Sequence, residues 1–177
     1  MIYLDMDGVC TNFVGDFLSK FFPNRRYEEV TKYGIHDVLG IPEYEMWSKI
    51  DREGEIFWSH MSKYTWTDCL ISYFEDFVFL SSPGMLPEAA SGKMKWIHRF
   101  YGNHFDKWIF TRHKELVGKP GDILVDDSEA NCQRWEESGK KAILFPQPWN
   151  KNRDIHFSRK TLDYVIDQHK TLTNKDR

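Results

Sequence analysis

Cysteine is scarce in this chain. Cys10, Cys69 and Cys132 are the 3 among 177 residues, too few and too scattered for a disulfide framework, and no Cys/His spacing suggests zinc. A reducing compartment is the simpler expectation. Long apolar runs are missing too, with none near the roughly 18 residues of a membrane span. A surplus of positive charge is also absent. Lys and Arg number 24 against 27 Asp and Glu, a formal net charge of −3, so no stable nucleic-acid partner held on a basic surface is expected. No charged segment followed by an apolar stretch opens the chain, because Ile2-Tyr3-Leu4 already reads as a buried strand. No signal peptide and a cytoplasmic location are therefore the expectation. There is no internal repeat and no low-complexity segment. Aromatics, by contrast, are plentiful at 16%, with 7 Trp. They serve either as core or as stacking surfaces for a flat ligand.

Apolar residues at 41% and charged residues at 29% are an ordinary globular balance. A chain of this length buries roughly two thirds of its unfolded surface, so it folds without staples. Five short apolar runs predict buried strands: Ile2–Leu4, Phe77–Leu80, Trp108–Phe110, Ile123–Val125 and Ala142–Phe145. Each is nearly continuous rather than alternating, as in a parallel sheet covered on both faces. Phe13, Val14, Phe17, Leu18, Phe21 and Phe22 lie on adjacent helical rows, and Pro23 stops that helix. A second helix runs from Pro87, suited to the first helical position, to Gly102. A third runs from a Ser128 cap to Gly139. A last one starts near Ser158 and frays after Lys170. Strand alternating with helix implies an α/β fold. The interval 13–74 breaks that rhythm and reads as a helical cap inserted after the first strand, leaving 1–12 and 75–177 as the core.

In an open parallel sheet, ligands bind at the carboxyl ends of the strands. The residues there are Asp5-Met6-Asp7-Gly8-Val9, Ser81-Ser82-Pro83, Thr111-Arg112-His113-Lys114, Asp126-Asp127-Ser128 and Pro146-Gln147-Pro148-Trp149-Asn150. Asp5 and Asp7 leave the strand on the same side. Two close carboxylates repel unless a cation joins them. With Asp126 they suit a hard, oxygen-seeking divalent ion, magnesium. The alternative is that Asp5 and Asp7 only cap the following helix. Lys114 and Ser81 would stabilise the charge of a phosphoryl group in transfer. Asp5 would attack phosphorus, and Asp7 would protonate the leaving alkoxide and then activate water. Read alone, Lys114 is a solvated lysine, and Ser81 and Ser82 form a turn before Pro83.

These motifs resemble the haloacid dehalogenase (HAD) superfamily. Asp5 to Val9 is similar to its first motif, Ser81 to the second, Lys114 to the third, and Asp126-Asp127 to the fourth. The second aspartate, Asp7, resembles the phosphatases rather than the dehalogenases. Finer detail resembles the 5′(3′)-deoxyribonucleotidase branch: Phe13 and Phe17-Leu18-Ser19-Lys20-Phe21 after the first motif, Ser81-Ser82-Pro83, Lys93 with Trp96, and Phe110 to Lys114.

The resemblance implies a Rossmann-like three-layer sandwich with a central parallel sheet of about five strands and a small helical cap. It implies a Mg2+-dependent phosphomonoesterase acting on (deoxy)ribonucleoside monophosphates through an aspartyl-phosphate. In that reading Asp5, Asp7 (through its backbone carbonyl) and Asp126 bind the metal, and Ser81, Ser82, Lys93 and Lys114 hold phosphate. Phe13 stacks on the nucleobase, and Trp58, with Phe57, lies where the branch has cap aromatics. The sequence departs from the branch at Ser81, where the branch has Thr, and at His113, where it has Asp. His113 is left as a surface residue, a substrate contact or neither, and Asp127 has no assigned role. The resembling enzymes are dimeric, although no exposed apolar stripe in the sequence argues for a homodimer. The 145–150 segment reads as a rigid loop with a buried Trp. Two other readings remain open: a HAD phosphatase for another small metabolite or a nucleic-acid end, and a non-catalytic phosphate-binding module.

Overall fold

A computed structural model of the chain describes residues 1–155 and 160–174. Five strands form one parallel sheet: β1 (Ile2–Leu4), β2 (Phe77–Ser81), β3 (Trp108–Phe110), β4 (Ile123–Asp126) and β5 (Lys141–Leu144), in the order β3-β2-β1-β4-β5. Ser81 and Asp126 are thus the last residues of their strands, where the sequence pattern had placed them just beyond. β5 begins one residue earlier than the apolar run, because Lys141 pairs with Ile123 in the ladder while its ammonium reaches the Leu172 carbonyl.

The sheet is central because each strand is apolar on both faces. Leu4, Phe79 and Val125 belong to the large cluster on one side, which also contains Trp96 and Ile97. Tyr3, Leu80 and Leu124 meet Trp135 on the other. Adjacent residues of a strand point to opposite faces, so one short run feeds both layers.

Five α-helices lie between β1 and β2 among the described residues: α1 (Phe13–Phe21), α2 (Ile35–Leu39), α3 (Glu43–Glu53), α4 (Glu55–Ser59) and α5 (Thr67–Phe74). α6 (Pro87–Tyr101), α7 (Glu129–Glu137) and α8 (Lys160–Asn174) follow β2, β4 and β5. Pro87 opens α6 and Gly102, at φ 89°, ends it. The Ser128 hydroxyl caps α7 by accepting from Asn131 N. α8 continues past Lys170, where fraying was expected. The Thr171 and Thr173 hydroxyls bond back to the Asp167 and His169 carbonyls one turn earlier. The expected start at Ser158 lies outside the described residues.

α4 rests directly on α6. A side chain at Gly92 would come within 2.5 Å of Trp58 Cβ and 2.7 Å of the Glu55 carbonyl, so only glycine admits this approach. The contact sets Trp58 above the ends of β1 and β2. Among the described residues, no helix is long and apolar enough to cross a membrane.

Candidate active site

β1 lies between β2 and β4, and the chain departs from it in both directions. Loops diverge at such a switch point and leave a crevice at the carboxyl ends of the strands. Asp5 follows β1 directly, its N–H still donating to the Val125 carbonyl. Its Oδ1 accepts from Met6 N at 2.8 Å and lies 2.8 Å from Lys114 Nζ. Among the described residues Asp5 Oδ2 takes no hydrogen bond. Lys114 also donates to Asp126 Oδ2 at 2.6 Å. It is therefore a buried bridge between two strand ends rather than a solvated lysine.

Neither aspartate caps the next helix. Asn12 does that, accepting from Gly15 N at 3.1 Å. Asp7 instead accepts from the Thr11 hydroxyl and from Lys93 Nζ, the latter at 2.5 Å. Lys93 reaches down from α6, and its ammonium also meets Ser81 Oγ at 3.0 Å and the Ser82 carbonyl at 2.8 Å. The Ser82 hydroxyl accepts from Gly84 N at 3.4 Å, so it shapes the turn.

Asp5, Asp126 and Asp127 each offer a carboxylate oxygen within 4.8 Å of the others. The Asp7 side chain is not part of this trio. Asp126 is fully enclosed and takes bonds from Ser128 N, Asn131 Nδ2 and Lys114. Asp127 faces the cavity, and its Oδ2 accepts from Trp149 Nε1 at 2.6 Å. Burial pushes the Asp5 carboxyl up to about 6; Lys114 pulls against that rise, while Asp126 and Asp7 add to it. Burial, then Asp126 and Asp5, likewise raise Asp127. Burial alone would lower the Lys114 ammonium, but Asp126 and Asp5 outweigh it and hold the group above its ordinary value. Carboxylates crowded and desolvated in this way lack counter-charge.

Above this floor opens a cavity of about 410 Å³. Its wall is aromatic and apolar: Phe13, Val14, Met46, Trp47 and Trp58. Phe13 stacks on Trp58 with ring centroids 5.6 Å apart, and the Trp47 ring stands 6.4 Å from Phe13. Lys93 Nζ lies 4.9 Å from the Trp58 ring, touching the wall as well as the floor. Lys32, Tyr33, His36 and Glu43 contribute to the lining from the helical segment.

Asp5, Asp7, Ser81, Ser82, Lys114, Phe13 and Trp58 all line this one cavity. Lys93 and Asp126 lie just beneath it. His113 is outside, exposed and facing Glu115 at 3.2 Å. Asp127, Asn131, Trp47 and Trp149 line the cavity without having been singled out for it in the sequence. The strand-end position of Asp127 and Trp149 was the available signal; Trp47 and Asn131 sit mid-helix, where only folding reveals a lining role.

No curated protein sequence matches the chain. Among solved structures, a HAD family hydrolase from Deinococcus radiodurans with bound phosphate and sodium is similar, with 11% identity, TM-score 0.46, and 83% of this chain and 82% of that chain covered. A HAD family enzyme from Bacteroides thetaiotaomicron, in complex with magnesium and inorganic phosphate, is similar at 14% identity and TM-score 0.38, over 88% of this chain and 98% of that one. The sequence profile of the family described as 5′ nucleotidase, deoxy (Pyrimidine), cytosolic type C protein matches residues 1–163. The chain belongs to that family, and with it to the phosphoric monoester hydrolases.

Proposed function

We propose that the protein removes the phosphate of a (deoxy)ribonucleoside monophosphate, with 13–74 as the cap that reads the nucleoside and 1–12 with 75–177 as the catalytic core. One observation carries this reading. A single cavity joins a floor of carboxylates and lysines to a wall of Phe13, Trp47 and Trp58. That combination fits a molecule with a phosphate at one end and a flat ring at the other.

Asp5 is the nucleophile, its Oδ2 attacking phosphorus as the bond to the nucleoside oxygen breaks. Asp7, whose side chain is 27% exposed against 9% for Asp5, faces both the leaving group and solvent. It gives a proton to the leaving alkoxide, then takes one from the water that opens the aspartyl-phosphate. Ser81, Ser82, Lys93 and Lys114 hold the phosphoryl oxygens, and Phe13 and Trp58 receive the base.

The donor set fits a divalent cation. Of the three clustered, buried carboxylates, Lys114 bridges Asp5 and Asp126, while Asp127 accepts from the neutral Trp149 indole, and all-oxygen sites suit a hard ion such as magnesium. Asp5, Asp126 and Asp127 would hold it, and the resemblance adds the Asp7 backbone carbonyl as a further ligand. When bound, the ion supplies positive charge against the transferring phosphoryl group.

The test is inorganic phosphate release from a panel of nucleoside monophosphates and sugar phosphates. Nucleotides should be preferred, EDTA should stop the reaction, magnesium should restore it, and Asp5→Asn should abolish it. Equal or faster turnover of sugar phosphates would overturn the nucleotide reading, and activity in Asp5→Asn would overturn the mechanism.

A further inference from the structure

The segment 145–150 grips both acidic loops at the place where they meet. Trp149 Nε1 donates to Asp127 Oδ2 at 2.6 Å. Asn150 Nδ2 donates to the Asp127 carbonyl at 2.9 Å and to the Phe145 carbonyl at 2.8 Å, fastening the segment to itself and to the end of β4. Gln147 Nε2 donates to the Gly8 carbonyl of the loop after β1. Its Oε1 accepts from the Tyr27 hydroxyl at 2.8 Å, and that hydroxyl lies 2.6 Å from the hydroxyl of Tyr64. Gln147, Trp149 and Asn150 are all buried, so water competes poorly for these bonds. Gly8 and Asp127 are themselves in contact, the carboxylate occupying the space a side chain at Gly8 would need.

We propose that Trp149 is a positioning residue for the cation site, its indole N–H fixing the Asp127 carboxylate in the orientation that shares an ion with Asp5 and Asp126. The inference rests on the cation reading given above. An indole N–H only donates, so it constrains one carboxylate oxygen and cannot compete for the ion. A carboxylate that binds metal is commonly oriented by such an outer donor, and loss of the donor costs about ten- to a hundredfold in affinity. Trp149 touches no reacting atom in this scheme and acts through Asp127.

Trp149→Phe keeps an aromatic ring and removes the donor together with the pyrrole half of the indole, a loss of volume that the control shares. Trp135→Phe is the matched control, since Trp135 Nε1 is buried without a hydrogen-bond partner among the described residues and outside the cavity. Titration calorimetry with Mg2+, and electron paramagnetic resonance with Mn2+, should show metal binding weakened about ten- to a hundredfold in Trp149→Phe and unchanged in Trp135→Phe. The thermal midpoints of the two metal-free variants should be similar. In an Asp127→Asn background, Trp149→Phe should cause no further loss, because its effect runs through that carboxylate. Equal metal affinity in Trp149→Phe and the parent, or full additivity with Asp127→Asn, would overturn the inference and leave the cation site standing. If the parent protein takes up neither ion, the cation reading and this inference fall together.

Discussion

Lys93 puts its ammonium 2.5 Å from Asp7 Oδ2, so a lysine from α6 orients the second aspartate of the loop after β1. The same ammonium meets Ser81 Oγ and the Ser82 carbonyl. The Lys93 side chain is only 1% exposed. It forms the junction of three strand-end features rather than a lysine waiting in solvent.

Lys93→Met should therefore lower kcat by about 10²-fold or more, as loss of one preorganised donor does in other active sites. Stability should fall by about 1–3 kcal/mol, because Asp7 and the Ser82 carbonyl lose a shared donor. Steady-state kinetics beside thermal unfolding checks both. A variant that loses stability and retains kcat would remove Lys93 from the catalytic arrangement.

Gly8 has two reasons to be glycine. Its φ of +81° is in the left-handed region, and an added Cβ would lie 2.3 Å from Asp127 Oδ2. The backbone alone costs roughly 1–2 kcal/mol for an L residue. Gly8→Ala should lower the thermal midpoint and also raise the magnesium concentration needed for half-maximal activity, because Asp127 must move. A midpoint shift with an unchanged magnesium requirement would show that Asp127 accommodates the methyl group in place.

Asp5 gives the metal-free protein a particular dependence on pH. Its carboxyl, raised to about 6, binds a proton more tightly folded than unfolded. The resulting stabilisation is whole below the unfolded value near 4 and is lost as pH rises through about 6. The amount is on the order of 3 kcal/mol. Asp127, raised by burial, acts in the same direction. In EDTA, the thermal midpoint of the parent relative to Asp5→Asn should fall between about pH 4 and pH 7. Magnesium, which favours the ionised carboxylate, should reverse the fall. A difference that stays flat with pH would remove the raised value.

The sheet and the polar residues at its strand ends were legible in the sequence because both rest on local pattern. Each strand is a short apolar run, and Asp5, Ser81 and Asp126 stand where a run gives way to polar residues. Order along the chain then converged on one crevice, since parallel strands bring all their carboxyl ends to one side. The interval 13–74 was legible as helical, but its individual helices beyond α1 were not. α2 and α4 have five residues each, too few for a hydrophobic period. The lining by Tyr33, His36 and Trp47 exists only once the helical segment has folded over the sheet. The Trp149–Asp127 bond joins residues 22 apart, and nothing in Pro146-Gln147-Pro148-Trp149-Asn150 announces its partner. The loop with a buried Trp is present, and what it fastens became visible only in three dimensions.

Trp47 offers the cleanest test of what the wall recognises. It is half-buried on α3, its Nε1 donates to Glu43 one turn earlier at 3.1 Å, and its ring faces Phe13. Phe13 packs on Phe17, Phe57 and Trp58 as well, so truncating it disturbs the core, whereas Trp47 stands at the edge. Aromatic stacking on a base contributes about 1–3 kcal/mol. Trp47→Ala should lower kcat/KM for nucleoside monophosphates by about ten- to a hundredfold, mainly through KM. It should leave turnover of a sugar phosphate such as ribose 5-phosphate nearly unchanged, because the floor is untouched. An equal loss on both substrates would mean that Trp47 supports the fold of the cap and does not contact the base.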